Sequence, residues 1–516
     1  WMRAHAEHAA RTLAALPGRD AIRADLQRLD ADAPTRVFEV MRTPGGWFYE
    51  ERRAQDNQFR LVHRTTPTAA PRVLVDPEER RRATGQPHAI THYRPSPSGA
   101  RVAYGIAAGG SEAATLYVSD VATGKELIAP IDRADYAVPA WIDEHRFLFT
   151  RLQALKPGMP ETAKYQDAAC WLVDLRTGRQ RKLLDRTTGG IRMTRDESPF
   201  VEISPNGRWA LATIYDGVRN ELRLYRAPAA AFLAGQARWQ RVAEPEDGVT
   251  RAAIQGDTLY LMSHKDAPRF RVLSLDLADR KAKPVVRVPE TPHVLTGLVA
   301  ARDALYLEVR QGNGKQLYRL GYDSGATPQR IALPFEGGFV LNGQEGGADA
   351  GDPRLDGVLV TLMGWTHGRQ ILQVAADGTV SDTGLQPLGP QDQPTDLETV
   401  EVMVPSHDGV KVPMTIIARK GAPRDGRNPL VLQGYASYGM TWEPSWVPTR
   451  RAWLDRGGVI AVANPRGSGV FGRAWHLAGK EANKPKLATR KVMPKRDEDP
   501  EDEPSRTNDP VRMYLR

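Results

Sequence analysis

Residues 171–184, WLVDLRTGRQRKLL, read as two short β-runs joined by a turn at Thr177-Gly178. Apolar, alternating segments of the same kind begin at Phe59 (FRLVHR), Leu116 (LYVSDVATGKEL) and Leu222 (LRLYRA). Three more begin at Val272 (VLSLDL), Leu317 (LYRLGYDSG) and Ile371 (ILQVAADGT), and successive copies lie 45 to 57 residues apart. A second pattern, Ser-Pro-x-Gly, opens a strand at Ser96 and again at Ser204, about two periods on. A period near 50 residues that holds about four short strands marks a β-propeller blade. Seven copies over 45–395 predict a seven-bladed ring. A pair of β-sandwiches would use similar turn dipeptides but would not repeat at this interval.

The flanks read differently. Residues 2–29 carry Ala and Leu at helical spacing, broken at Pro17-Gly18, so 1–44 is assigned to a helical part. After Pro394, VEVMVP (400–405) and VKVPMTIIA (410–418) predict a hairpin turning at Asp408-Gly409. PLVLQ (429–433), a helix over 446–456 closed by Gly457-Gly458, and the uniformly apolar VIAVA (459–463) then predict a parallel sheet covered on both faces. Residues 396–484 are therefore read as the start of an α/β domain. From about Lys484 apolar periodicity vanishes among Lys, Arg, Asp, Glu and Pro, and 485–516 is expected to be a disordered tail. A sheet that stops after its first strands leaves an apolar face and an open edge. Partial disorder is therefore expected across 396–516.

Composition excludes several classes. The chain has 516 residues and a formal charge of +9, too dilute for a nucleic-acid footprint, and no apolar run long enough to span a membrane. A single cysteine, Cys170, excludes an intramolecular disulfide and a Cys-based zinc cluster. His5 and His8 flank Glu7 one turn apart, but with no third ligand suggested they read as an exposed helix face, and no metal is expected. Gly467, Gly469 and Gly472 match G-x-G-x-x-G. The second strand that a dinucleotide fold needs is missing where Arg490-Lys491-Val492-Met493-Pro494 stands, so no cofactor is expected.

No serine sits in G-x-S-x-G. Ser111 comes nearest but lies within the blade repeat, and the last histidine is His476, so no elbow serine of the α/β segment has an acid and a histidine after it. His407 and His476 read as a hairpin-turn and a helix residue. The loop 434–439, GYASYG, follows PLVLQ where an α/β-hydrolase supplies an oxyanion donor.

Residues 404–421 (VPSHDGVKVPMTIIARKG), 428–439 (NPLVLQGYASYG) and 450–480 closely resemble the prolyl oligopeptidase family of serine peptidases. The resemblance extends back through YRPSPSGARVAYGIAAGGSE (93–112) and the N-terminal helices. It implies a seven-bladed propeller capping an α/β-hydrolase-type peptidase domain built from both chain ends. The implied activity is hydrolysis of short peptides after proline. In that chemistry serine attacks the carbonyl, histidine shuttles the proton and aspartate orients the histidine, while the propeller keeps folded proteins out. By resemblance Tyr435 matches the tyrosine of the oxyanion hole. The resemblance stops near Lys484, before the serine, aspartate, histidine and proline-pocket positions, so truncation or a frameshift is expected, with the chain inactive alone. The alternative is a non-catalytic propeller remnant that binds peptides or a protein partner. A monomer in the cytoplasm is expected, with the periplasm as the alternative because Trp1 is not an initiator Met.

Overall fold

Side chains alternate across a strand, so a sheet of alternating apolar residues can pack on a neighbour on either side. In the computed structural model, which describes residues 1–487 except 34, 136, 218 and 342–350, the repeats become seven successive antiparallel sheets. Blades 1 to 7 span 35–75, 88–120, 140–184, 198–243, 249–288, 294–331 and 338–382. Six have four strands. Blade 2 has three, extended by isolated bridges such as Leu116–Ile131. Every repeat start read from the sequence falls inside, or one residue before, the third strand of its blade.

Neighbouring blades share one apolar cluster each. Phe147 and Phe149 of blade 3 pack with Leu116 and Val118 of blade 2, whereas Leu148 between them faces Val201 and Ala212 of blade 4. The same arrangement joins blades 1 and 2, 4 and 5, 5 and 6, and 6 and 7. A last cluster sets Leu359, Ile371 and Leu385 of the blade 7 region against Val37, Trp47 and Tyr49 of blade 1. The β-propeller is thus closed by packing, with no strand shared across the seam among the described residues. Gln386 clasps that seam: its Oε1 accepts from Val37 N at 2.8 Å and its Nε2 donates to Thr35 O at 2.7 Å.

The two Ser-Pro-x-Gly motifs are one device used twice. Ser96 N donates to Arg101 O and Gly99 N to Ser96 O, both at 2.8 Å. Ser204 N donates to Trp209 O at 2.8 Å and Gly207 N to Ser204 O at 2.7 Å. Gly99 (φ +82°) and Gly207 (φ +72°) take the left-handed conformation that lets the chain reverse before the second strand of blades 2 and 4.

The propeller begins earlier than the sequence suggests. Thr35–Thr43, within the span read as helical, is a strand paired with Gly46–Arg53. A bulge between Phe38 and Met41, with Glu39 at φ +48°, interrupts its alternation. The buried residues become Val37, Val40 and Met41, the spacing of a helix face. Upstream, Met2–Ala14 and Arg19–Ala31 are helices as expected, and the first buries nothing. His5 and His8 lie exposed on it, with the His5 ring against Trp1.

Downstream, a four-stranded sheet has the order Leu397–Pro405, Lys411–Arg419, Val459–Ala463, Leu430–Gln433. The first two form the expected hairpin, and the last two pair in parallel. Val459–Ala463 is buried along its whole length: Ile460 and Val462 pack with Trp365, Trp446 and Leu454, while Val459, Ala461 and Ala463 pack with Met414 and Ile416. This described part of 396–516 is therefore an ordered sheet rather than a partly disordered segment, because Trp365 of blade 7 helps to cover one face. Helix Arg19–Ala31 contacts the turn Pro448–Arg450 and helix Arg451–Leu454 of this region, with Asp25 and Arg456 ion-paired at 2.6 Å. The charged tail from residue 488 lies outside the described residues. No helix among those described is long and apolar enough to cross a membrane.

Candidate functional site

In open α/β sheets the loops at the carboxyl ends of parallel strands are where ligands bind. Here those loops are 434–442, after Leu430–Gln433, and 464–472, after Val459–Ala463, and they are laid against each other. Gly439 N donates to Gly467 O at 3.0 Å. Asn464 holds Trp442 from both sides, accepting from its N–H at 2.8 Å and donating to its carbonyl at 3.1 Å. The G-x-G-x-x-G glycines serve this packing. A Cβ on Gly469 would overlap Gly439 O, and one on Gly472 (φ +89°) would meet Pro268 O of the propeller at 2.5 Å. Arg466 reaches back to the hairpin turn, paired with Asp408 and 3.2 Å from Ser406 Oγ. That guanidinium holds Asp408 at about 2. His407 sits in the same turn, its Nδ1 3.3 Å from Ser406 Oγ.

Within 434–439 the backbone is unusual: Ala436 and Tyr438 both have positive φ, +57° and +55°. Such conformations persist only where the surroundings enforce them, and they concentrate at functional sites. Asn220 of the propeller helps, donating from Nδ2 to Tyr438 O at 3.0 Å. Tyr435 stands on the same loop, 50% exposed, and its hydroxyl makes no hydrogen bond among the described residues. It lies outside the wall of the neighbouring cavity, which Tyr438 and Gly439 line.

That cavity, of about 490 Å³, lies between blades 4, 5 and 6 and the two loops. One wall is ionic. Glu221 Oε1 lies 2.9 Å from His264 Nε2 and 2.7 Å from Arg473, and first the histidine hydrogen bond, then the Arg473 charge, hold its carboxyl at about 2. Arg473 Nη1 lies 3.0 Å from His476 Nδ1. Because arginine can only donate, that nitrogen accepts and the ring is neutral. Burial, with the Arg473 and Lys480 charges, pushes His476 down to about 4. Across the cavity, Lys315 Nζ lies 2.7 Å from Glu308 and 3.0 Å from Glu443, and Arg310 also pairs with Glu443. Burial works against the Glu308 charge, yet Lys315 and Thr296 keep its carboxyl below the usual range. A larger cavity of about 1130 Å³ lies inside the ring, and Tyr215 lines both.

The structure thus brings His476 and the glycine motif to the site, whereas Ser111 is remote in function. It sits in the turn between two strands of blade 2, its Oγ donating to Ala108 O at 2.8 Å. Sequence reasoning misses Glu221, His264, Arg310, Lys315 and Glu443. They come from separate turns, strands and loops, and no spacing announces that they converge.

The propeller and the sheet both have relatives. A family model described as the prolyl oligopeptidase N-terminal β-propeller domain matches residues 1–350, and one described as the prolyl oligopeptidase family matches 444–489. A prolyl endopeptidase of Elizabethkingia meningoseptica is 24% identical over 397 residues, covering 75% of this chain and 52% of the relative. The chain spans about half the length of the curated relatives it matches. Among solved structures, one from a study of two prolyl endopeptidases superposes with a TM-score of 0.79 at 24% identity, over 94% of this chain and 69% of that one. Prolyl oligopeptidase B from Galerina marginata, bound to a 35mer hydrolysis and macrocyclization substrate, gives a TM-score of 0.81 at 18% identity, with the same shares covered. A propeller model that matches more than half of the sequence, together with a second match on the sheet that follows it, makes this chain a member of the prolyl oligopeptidase family.

Proposed function

We propose that the chain is the propeller-bearing part of a serine-type oligopeptidase that cleaves short peptides on the carboxyl side of proline. The observation that carries this reading is the cavity between propeller and sheet, walled by the strained loop that also bears Tyr435. Tyr435, its hydroxyl free, would donate to the oxyanion that develops on the scissile carbonyl. Loss of one such donor costs about 10²–10³ in rate. On this reading the chain does not supply the triad serine, aspartate and histidine, and the 516-residue chain is inactive alone. Short peptides are its ligands, with no nucleic acid, membrane, metal or cofactor involved, and it is a cytoplasmic monomer. The test is a fluorophosphonate probe, which reacts only with an activated serine: no labelling is expected, and stoichiometric labelling would overturn the inactivity.

A second reading, a non-catalytic peptide-binding remnant, is favoured by one observation. Polar atoms in the cavity wall, Thr250 Oγ1 and Thr441 Oγ1 among them, are buried without a protein partner. A bound peptide that repacks this wall would satisfy them without being cleaved. Translating the coding DNA beyond Trp475 in all three frames separates the two. A frame that resumes with a G-x-S-x-G elbow supports the peptidase, and its absence supports the remnant.

A further inference from the structure

The charges around the cavity are almost all matched. Arg219 pairs with Asp216 at 2.9 Å, Arg473 with Glu221, and Arg310 and Lys315 with Glu443 and Glu308. Arg251 is the exception. It belongs to the innermost strand of blade 5, Val249–Gln255, and lines the cavity. Its Nε donates to Thr296 O at 3.3 Å, and no carboxylate among the described residues lies within ion-pairing distance. Next to it in sequence, Thr250 carries a buried hydroxyl without a partner. Across the cavity, Arg310 has only 6% of its surface exposed, and its Nε is likewise unpartnered. A half-buried guanidinium with free Nη donors, in a wall that also leaves neutral donors unsatisfied, is complementary to a planar anion with two acceptor oxygens.

Building on the peptide-binding reading above, we propose that this cavity selects peptides that present a carboxylate, received by Arg251. The carboxylate has two sources, a free C-terminus or an Asp or Glu side chain, and both fit the same fork. Lysine would be a poorer partner, because it offers a point charge in place of two parallel donors.

Four short probes test this by calorimetric titration into the full chain: acetyl-Gly-Pro-Ala, its C-terminal amide, acetyl-Gly-Pro-Asp-amide and acetyl-Gly-Pro-Asn-amide. At least one carboxylate is expected to bind about tenfold or more tightly than its neutral counterpart, the difference shrinking as salt is added. The first pair reports a C-terminal source and the second a side-chain source. Arg251→Gln should bring each pair to within about twofold, and Arg251→Lys should retain part of the preference, which a merely unfolded variant would not. Equal binding within both pairs, or a preference that survives Arg251→Gln, overturns the proposal while leaving peptide binding intact. If no probe binds, both this inference and the peptide-binding reading fall.

Discussion

Lys315 Nζ lies 3.0 Å from Glu443, so one ammonium of blade 6 reaches across to the loop that follows Leu430–Gln433. The same ammonium holds Glu308 at 2.7 Å and donates to Phe339 O at 2.7 Å, and both Lys315 and Glu308 are 4% exposed at the side chain. Replacing Lys315 by Met leaves a buried carboxylate without its partner. A loss of about 3–5 kcal/mol is expected. Removing the stranded charge as well, in Lys315→Met with Glu308→Gln, should recover part of that loss. Urea denaturation of the two variants checks this, and equal losses would mean that the pairing contributes nothing.

The seam clasp gives a second expectation. Gln386→Leu keeps the side chain's bulk but leaves the buried Val37 N–H and the partly buried Thr35 C=O unpaired. It should cost about 2–4 kcal/mol. Amide exchange should accelerate first in Thr35–Thr43 and the facing parts of blade 7, because no shared strand holds that interface. Uniform acceleration around the ring would count against a local seam.

Glu50 carries a pH signature. Burial first, then the neighbouring Glu39 carboxylate, pushes it up to about 8 from a usual 4.5. The unfolded chain therefore releases this proton before the folded one does. Stability should fall as pH rises from about 4.5 to 8. Glu50→Gln abolishes that fall. The variant is expected to match the native chain near pH 4.5 and to exceed it by about 4 kcal/mol at pH 8. Thermal melts at the two pH values decide.

His92 runs the other way. Burial, helped by Arg94, lowers it to about 4, and its Nδ1 lies 3.0 Å from Thr91 Oγ1. Here the unfolded state takes up a proton first, below pH 6.5. Stability should therefore drop from pH 6.5 to 4, by at most about 3 kcal/mol from this group. His92→Gln should flatten that limb, and an unchanged acid slope would remove His92 from the account.

Gly469→Ala tests the close approach of the two loops. Its methyl must displace Gly439 O, and overpacking of this kind costs about 1–3 kcal/mol. The near-ultraviolet circular dichroism of Trp442, held by Asn464, should change with it. An unperturbed spectrum would show that the loop yields without strain.

What could be read from the sequence follows from how local each signal is. The third strand of each blade was legible because its alternation is regular, and in several blades a Thr-Gly, Ser-Gly or Asp-Gly turn closes it. Thr35–Thr43 was not, because the bulge at Glu39 gives it a helical burial pattern. The helix over 446–456 shortened to a 3₁₀ turn, Pro448–Arg450, and one α-turn, Arg451–Leu454, since Pro448 permits only a helix start. Its closure at Gly457 (φ +79°) was readable from the Gly-Gly pair alone. At the site, the sequence could point to Tyr435 and its loop. The union of Glu221, His264 and Arg473 could not be foreseen, because it depends on how two blades and the helix Arg473–Leu477 meet.

Among the described residues the strand Leu430–Gln433 stands at the rim of its sheet, with Val431 and Leu432 38% and 37% exposed. Its outer peptide groups offer a template to any extended chain that drifts past, including another molecule of the same kind. The practical outcome is colloidal: losses on concentration should grow faster than linearly with protein, and dilution should protect better than cooling. A single lysine at Val431, which touches neither the ring nor the cavity, should raise the concentration at which the solution turns cloudy.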